Sequence, residues 1–194
     1  MQRPIMTSRS FLRTPSEAAG PGDEQVIEDL VDTLEANRSR CVGMAANMIG
    51  VSKRIIVFVD EDLGGRITVM LNPVITASDG AFDAQEGCLS LTGERRTLRC
   101  RRIEVNYEDR RFRARHATFT GWTAQIIQHE VDHCNGIIIG FIRCSLQPTP
   151  PLRGWSSRLR CNYIATAMTS FFMCTGGGVF SAVLGCHALA GWLR

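Results

Sequence analysis

The stretch that decides this chain is GWTAQIIQHEVDHCNG, residues 121–136. His129 and His133 are four residues apart, and Glu130 directly follows the first of them. On an α-helix, side chains at positions i and i+4 lie on the same face, so two imidazoles can reach one metal ion while the glutamate faces water bound to that ion. Asn135-Gly136 is typical of a helix end. The stretch therefore predicts a core helix that carries a pair of metal ligands.

The third ligand does not come from the positions that metalloproteases commonly use. Those positions are a histidine six residues after the second histidine or a later acidic residue, but here the sixth residue is Ile139 and no acidic residue follows Asp132. The remaining candidates are His187 and the downstream cysteines, and upstream Cys41, Cys88, Cys100 and His116. Cys88 is favoured because its small neighbour Gly87 lets backbone and metal approach closely.

The composition indicates an ordinary globular protein. A chain of 194 residues with 44% hydrophobic and 21% charged residues can bury a full core, with one domain as the default, and this disfavours general disorder. The net charge of +3 is unevenly distributed, because five arginines and no acidic residue follow Cys134.

The cysteines and the N-terminal region predict the compartment. Eight cysteines occur without a CxxC pair, and the first residues lack the continuous apolar core of a secretory signal. We therefore expect a cytoplasmic protein with reduced thiols, which is also the state that a thiolate ligand requires.

The first half of the chain predicts one helix and one close backbone approach. Residues 1–22 are polar and broken by prolines, which predicts an extended N-terminal arm with little regular structure. Apolar residues then recur at helical spacing, predicting a helix of about 14 residues that starts at Asp23 and ends before residues 37–40. Residues 41–50, CVGMAANMIG, are small and apolar, which suits close packing between elements or against a bound peptide.

Short strands and turns fill the middle of the chain. The predicted strands are residues 55–59, 67–71, 74–76, 103–107 and 112–119, with a further buried strand at 137–142. Turns are predicted at residues 60–65, 79–80 and 109–110.

A basic cluster lies among these strands. Its members are Arg95, Arg96, Arg99, Arg101, Arg102, Arg110, Arg111, Arg113 and Arg115. They form neither a helical stripe nor an aromatic platform, so a solvated sheet face is expected rather than specific DNA binding. Weak attraction to an anionic surface such as rRNA remains open.

Residues 146–194 form a compositionally different tail. Prolines and arginines come first, and no charged residue occurs between residues 161 and 193, a span longer than the ~20 residues of a membrane helix. Three glycines at 176–178 and several polar residues interrupt it. An atypical appendage or an aberrant C-terminus is therefore expected, with membrane contact as the weaker alternative.

Three motifs occur in order along the chain: residues 43–50 (GMAANMIG), 86–90 (EGCLS) and 129–133 (HEVDH). Together they resemble the peptide deformylases, metallohydrolases that remove the N-terminal formyl group from nascent bacterial polypeptides. The last two motifs match that family in full. The resemblance covers roughly residues 11–143 and implies a catalytic domain at 11–145. The implied fold is α+β, with antiparallel sheets around a central HExxH helix.

The resemblance also implies the site residues. Cys88, His129 and His133 would bind one divalent ion, with Fe(II) expected first and Zn(II) or Ni(II) as alternatives. Glu130 would act as the catalytic base and then acid, and the backbone N–H of Leu89 would hold the oxyanion. The implied substrate-binding residues are Gly43, Met44, Ala45, Met48 and Gly87. The expected partners are a formylated nascent peptide and, through it, the ribosome.

Met48 departs from the family pattern, which has glutamine at this position to hold the formyl oxygen. A thioether cannot donate a hydrogen bond, and losing one such donor commonly costs about 10²- to 10³-fold in rate. Asn47 is the candidate substitute donor. Two hypotheses follow, an active deformylase or a catalytically weak metal-binding homologue that binds formyl-peptides or a partner. A zincin-type metalloprotease is disfavoured because its downstream ligands are missing.

Overall fold

The computed structural model describes residues 1–139, which form one antiparallel sheet and three α-helices. The helices are α1 (Arg9–Leu12), α2 (Glu24–Ala36) and α3 (Gly121–Cys134), and a 3-10 helix spans Ala46–Ile49. The strands are β1 (Gly43–Ala45), β2 (Ile55–Asp60), β3 (Arg66–Glu86), β4 (Arg95–Glu108) and β5 (Ala114–Thr120). They pair in sequential order, β1-β2-β3-β4-β5. The predicted α+β class is confirmed, but the strands of the described region form a single sheet rather than several.

Strand β2 joins two hydrophobic clusters because successive side chains of a strand point to opposite faces. Ile56 and Phe58 pack in the cluster that α3 covers, whereas Ile55 and Val57 pack in the cluster that α2 covers. All four side chains are fully buried. Burying each contributes roughly 1.5–3 kcal/mol relative to leaving it in water. This double burial holds β1, the neighbour of β2, between the two helices.

Strand β3 is longer than the sequence predicts. It runs without a break for 21 residues and pairs with β4 along most of its length. The predicted break at Asn72-Pro73 is instead absorbed by a register shift between Leu71 and Val74, a place where a strand tolerates proline. The turn predicted at Asp79-Gly80 is wrong. Gly80 takes a left-handed φ of 71°, but the ladder resumes at the next residue, so cross-strand pairing overrides the local turn signal.

The N-terminal segment is more ordered than the predicted extended arm. It contains the single turn α1, whose Leu12 is fully buried. The Ser16 N–H donates to the carbonyl of Cys134 at 2.9 Å, and Glu17 forms a parallel bridge with Lys53. Short apolar and backbone contacts of this kind leave no periodic sequence pattern, which is why the composition alone suggested a loose arm.

The remaining predictions concern the end of the described region. Residues 137–139 are not in a strand, and residues 140–142 of that predicted strand lie outside the described residues, as does the tail at 146–194. Within residues 1–139, no helix is both long and apolar enough to cross a membrane.

Phe58 gives a test of this packing. Its ring lies edge-to-face with Phe119 at 6.2 Å, so Phe58→Ala removes both buried area and an aromatic pair. We expect the free energy of unfolding to fall by about 3–5 kcal/mol, measured by urea denaturation. The exposed Val74, at 52% exposure, provides the control, since Val74→Ala should change stability by less than ~0.5 kcal/mol. Equal losses for the two variants would contradict the described core.

Candidate active site

Helix α3 and the loop after β3 bring three metal-binding side chains together. His129 and His133 project from one face of α3, with their rings 5.1 Å apart. Cys88 approaches from the loop, with its Sγ 3.3 Å from His133 Nε2. The ligand atoms of all three residues lie within 4.8 Å of one another, and no other group in residues 1–139 meets this condition.

The remaining upstream candidates lie elsewhere. Cys41 donates its S–H to the carbonyl of Gly43, and Cys100 is buried in the cluster under α3. His116 of β5 pairs with Asn106 of β4. His187 lies outside the described residues.

The chemistry of the three side chains fits a divalent transition-metal ion. One sulfur and two imidazole nitrogens match the donors that zinc, iron and nickel accept, and three protein ligands leave a coordination position open. Burial lowers the pKa of His133 to about 3, so its ring is neutral, the form that binds metals. Burial also lowers the pKa of His129, but hydrogen bonds to Cys88 and Glu86 raise it to about 10. Without a bound ion the His129 ring is therefore protonated, and a metal ion that binds there takes the place of one ring proton.

Glu86, at the end of β3, orients His129. Its Oε2 is 2.9 Å from His129 Nδ1, which leaves the opposite ring nitrogen for the metal. Arg99 donates to both oxygens of Glu86 at 2.9 Å, and Gln125 donates to Oε1 at 3.1 Å. Burial raises the pKa of Glu86, but the hydrogen bonds from Arg99 and His129 lower it to about 2. Glu86 is therefore ionised at neutral pH and presents a negative charge to the His129 ring.

Arg99 corrects the prediction of a uniformly solvated basic cluster. Only 3% of its surface is exposed, and its third donor reaches Asp132 of α3 at 2.5 Å. Arg95 is half-buried. The other members are exposed, namely Arg96, Arg101, Arg102, Arg110, Arg111, Arg113 and Arg115. Arg99 therefore binds two carboxylates in the interior of the site. The local sequence does not distinguish it, because its neighbours are also basic.

Glu130 lies in a dry position beside the three ligands. Its side chain is 3% exposed, and its Oε2 has no hydrogen-bond partner among the protein atoms. Burial raises the pKa of Glu130 to about 7. A carboxyl group with this pKa can accept and return a proton near neutral pH, which is the property of a general base.

Gly43 shows why the predicted close backbone approach requires glycine. A Cβ at this position would lie 2.6 Å from Ile126 Cγ2 and 2.7 Å from Glu130 Oε1, closer than real Cβ contacts allow. Strand β1 is therefore pressed directly against the face of α3 that carries the reactive groups.

A cavity of about 560 Å³ opens beside these groups, within the size range of ligand sites. Its lining residues are Arg40, Cys41, Val42, Gly43, Met48, Gln85, Glu86, Gly87, Cys88, Leu89, Leu91, Gly93, Glu94, Trp122, Gln125, Ile126, His129 and Glu130. Seven of the predicted site residues line this cavity, namely Gly43, Met48, Gly87, Cys88, Leu89, His129 and Glu130. The side chains of Met44 and Ala45 do not line it, because they are fully buried in the two hydrophobic clusters, and the edge predicted for these two residues involves their backbone.

The cavity also tests whether Asn47 supplies the amide donor that Met48 lacks. Met48 lines it with a side chain that is 1% exposed. Asn47 does not line it and instead donates to the carbonyl of His133 at 2.7 Å. The expectation that Asn47 replaces the amide donor missing at position 48 is therefore wrong, because the Asn47 amide binds the end of α3 instead.

Sequence reasoning missed Gln125 and Trp122 as lining residues and Glu86 as a partner of His129. Glu86 is the first residue of the EGCLS motif, but the motif by itself assigned it no role. The helical spacing of Trp122, Gln125 and His129 also predicts a shared face.

The arrangement of ligands, base and cavity agrees with comparisons to known proteins. A family model described as polypeptide deformylase matches residues 3–141. The chain belongs to the polypeptide deformylase family. A peptide deformylase from Clostridium beijerinckii is 52% identical over 139 residues, which is 72% of this chain and 100% of that protein. One from Thermus thermophilus is 36% identical over 132 residues, covering 60% of this chain and 68% of that protein.

Solved structures of the family have the same fold. The crystal structure of a peptide deformylase from Thermus thermophilus aligns with a TM-score of 0.63 and 34% identity, covering 71% of this chain and 83% of that one. The Met-Ala-Ser-bound class I type b peptide deformylase from Acinetobacter baumannii aligns with a TM-score of 0.64 and 25% identity, covering 71% and 97%. Members of this family are metalloenzymes, and the Cys88, His129 and His133 cluster is the matching feature of this chain.

The contact between Glu86 and His129 gives a testable prediction. Glu86→Gln keeps the size of the side chain but removes the charge that holds His129 and Arg99. We expect metal affinity, measured by chelator competition, to fall about 10- to 100-fold. Glu104→Gln is the matched control, because Glu104 pairs with Arg102 on the exposed part of β4. If Glu86→Gln and Glu104→Gln bind metal equally well, Glu86 does not orient the ligand.

Proposed function

We propose that this protein is a metal-dependent hydrolase that removes the N-terminal formyl group from formyl-methionine of nascent polypeptides and releases formate. The observation that carries the proposal is the cluster of Cys88, His129 and His133 beside the buried Glu130, in a chain that belongs to the polypeptide deformylase family. The family supports the reaction, and the cluster supplies the groups that it needs.

The proposed cofactor is one divalent ion held by Cys88, His129 and His133. Such an ion lowers the pKa of a water molecule toward ~7 and polarises a carbonyl group. Fe(II) is the first choice because a thiolate makes the site less positive than three neutral histidines would, which suits an oxidation-sensitive ion. Zn(II) and Ni(II) accept the same donors.

Glu130 and Leu89 supply the remaining chemistry. Glu130 takes the proton from the attacking water and delivers it to the amine as the bond between formyl carbon and nitrogen breaks, which leaves formate and a free N-terminus. Its raised pKa suits both transfers. The backbone N–H of Leu89 donates to the oxygen on which negative charge develops.

The substrate binds along β1 as an added strand. β1 is the first strand of the sheet order, so one of its edges has no strand partner within residues 1–139. An extended peptide pairs with such an edge through its main chain, and here the residues offered are Gly43 to Ala45. The close approach of Gly43 to Ile126 and Glu130 of α3 supports peptide binding at this edge. The structural neighbour from Acinetobacter baumannii is bound to the peptide Met-Ala-Ser, which supports a peptide substrate.

The proposed place of action follows from the substrate. A nascent chain is available at the ribosome, so the ribosome is the proposed partner and the cytoplasm the proposed compartment. The exposed arginines of β4 and β5 supply positive charge that attracts rRNA weakly. The rival hypothesis of a weak peptide-binding homologue is not favoured, because all three ligands and Glu130 are in place.

Formate release tests the proposal. The full chain, loaded anaerobically with Fe(II), should release formate from formyl-methionyl peptides. Glu130→Ala should retain the metal but lose about 10²- to 10⁴-fold in kcat, whereas Cys88→Ser should lose metal and activity together. Absence of formate from metal-loaded wild type would overturn the proposal, as would a Glu130→Ala variant with undiminished kcat.

Met48 permits a gain-of-function test. Met48→Gln places an amide donor at the cavity wall in a side chain of similar length. We expect kcat to rise by about 10²- to 10³-fold, because one oxyanion donor has this effect in other hydrolases. Met48→Leu is the matched control, since it changes shape without adding a donor. A similar rise in both variants would show that packing, rather than hydrogen bonding, limits the rate.

A further inference from the structure

The two histidines of the ligand cluster differ in what holds the ring nitrogen that faces away from the cluster. Glu86 Oε2 lies 2.9 Å from Nδ1 of His129. Nδ1 of His133 is buried and has no hydrogen-bond partner among the atoms of residues 1–139. A histidine that binds a metal almost always gives its second ring N–H to an acceptor, which fixes the tautomer and the orientation of the ring. His133 therefore requires an acceptor of its own.

The orientation of the His133 ring shows which nitrogen carries the proton. Its Nε2 lies 3.3 Å from Cys88 Sγ, so Nε2 is the nitrogen directed at the ligand cluster. A neutral imidazole has one N–H and one bare nitrogen. When Nε2 binds an ion, the proton is on Nδ1. Nδ1 is then a hydrogen-bond donor in the interior of the protein, because only 1% of His133 is exposed.

Asn47 offers an acceptor at this place. Its Nδ2 donates to the backbone carbonyl of His133 at 2.7 Å. The other end of the same carboxamide, Oδ1, is buried and receives no hydrogen bond from residues 1–139. Two residues that already share one hydrogen bond therefore carry an unpaired donor and an unpaired acceptor. Buried polar atoms are nearly always paired, and these two atoms complement each other.

The other unpaired buried side-chain atoms of the described region fit this role less well. They are Ser16 Oγ, Ser90 Oγ, Thr97 Oγ1 and Glu130 Oε2. None of them belongs to a side chain that is hydrogen-bonded to His133 in the described region, whereas the Asn47 side chain is. Glu130 moreover lines the cavity, where it is the proposed general base.

The turn that carries Asn47 is held firmly. It is the 3-10 helix Ala46–Ile49, and the Gly50 N–H donates to the carbonyl of Asn47 at 3.1 Å. The carbonyl of Met48 accepts from the N–H of Met6 at 2.8 Å, so the N-terminal segment supports the same turn. A side chain on such a support can hold a ligand in one orientation.

We propose that Asn47 is a positioning residue for the metal ligand His133. Its Oδ1 accepts the Nδ1–H of His133, directly or through one water molecule, while its Nδ2 holds the backbone carbonyl of the same residue. One side chain outside the cavity then restrains both the ring and the backbone of this ligand. This inference rests on the proposed function, because it concerns the metal site of that reaction.

The test uses the full chain loaded with Zn(II), a diamagnetic ion that permits NMR of the histidine ring protons. Asn47→Leu removes the donor and the acceptor at nearly constant size. We expect Zn(II) affinity, measured by chelator competition, to fall about 10- to 100-fold. Hydrogen exchange at Nδ1 of His133 should become about 10-fold faster, the effect of one lost hydrogen bond. Exchange at Nδ1 of His129 should not change, because Glu86 holds that atom.

Two further variants separate the ring contact from the backbone contact. Asn47→Asp keeps an acceptor oxygen but loses the donor to the His133 carbonyl, so it should bind Zn(II) more tightly than Asn47→Leu does. Asn106→Leu is the matched control, because Asn106 pairs with the exposed His116. It should leave the Zn(II) affinity and both exchange rates at their wild-type values.

The wild type provides a measurement that does not depend on the folding of any variant. A nuclear Overhauser effect is expected between the Nδ1 proton of His133 and the Nδ2 protons of Asn47. Its absence would overturn the inference, as would a wild type that binds no Zn(II).

The variants supply three more contrary results. Unchanged Zn(II) affinity in Asn47→Leu would contradict the inference. Equal losses in Asn47→Leu and Asn47→Asp would assign the effect to the backbone contact alone. Lower affinity with unchanged exchange at Nδ1 of His133 would indicate support of α3 rather than of the ring. None of these measurements requires turnover. If the Fe(II)-loaded wild type releases no formate, the proposed function fails, and the Zn(II) measurements decide the inference by themselves.

Discussion

The hydrogen-bonded ion pairs of Arg99 are the interaction on which the rest of the site depends. This one buried guanidinium joins Glu86 at the end of β3 to Asp132 on α3. Removing three charged groups from water is costly, and the cost is offset only when nearly every donor and acceptor is satisfied. Here three nitrogens of the arginine donate to two carboxylates. Glu86, held in this way, fixes the orientation of the His129 ring through its contact with Nδ1. The register of the sheet and the orientation of a metal ligand are therefore set together.

The same burial that costs stability gives the site its reactivity. Glu130 keeps an oxygen without a protein partner, an arrangement that a fold selected for stability alone would avoid. In exchange, the carboxyl group has a pKa near 7 and responds to small changes in its surroundings. Gly43 contributes by bringing a strand edge to within van der Waals distance of this group, so the proposed peptide-binding edge and the Glu130 carboxyl group lie side by side.

The candidate site could be proposed from the sequence because its chemistry imposes a spacing on the residues. His129, Glu130 and His133 follow the helical period, and Cys88 was found through the EGCLS motif. Arg99 was missed because a lone buried arginine has the same local pattern as the solvated arginines around it. Only its partners, 13 and 33 residues away, distinguish it. The turn predicted at Gly80 is wrong for a related reason. A turn signal depends on neighbouring residues, whereas the pairing that extends β3 depends on β4, which is distant in sequence.

The separation of the ligands along the chain has a consequence for assembly. Cys88 and His133 are 45 residues apart, and they belong to elements that are made independently, a hairpin and a helix. A coordination sphere with both groups exists only after these elements have docked, so the unfolded chain offers no equivalent to it. An ion captured there acts as a cross-link that favours the native state by mass action. Loss of the ion would then weaken the joint between sheet and helix as well as the chemistry, which makes cofactor supply a determinant of the lifetime of the folded protein.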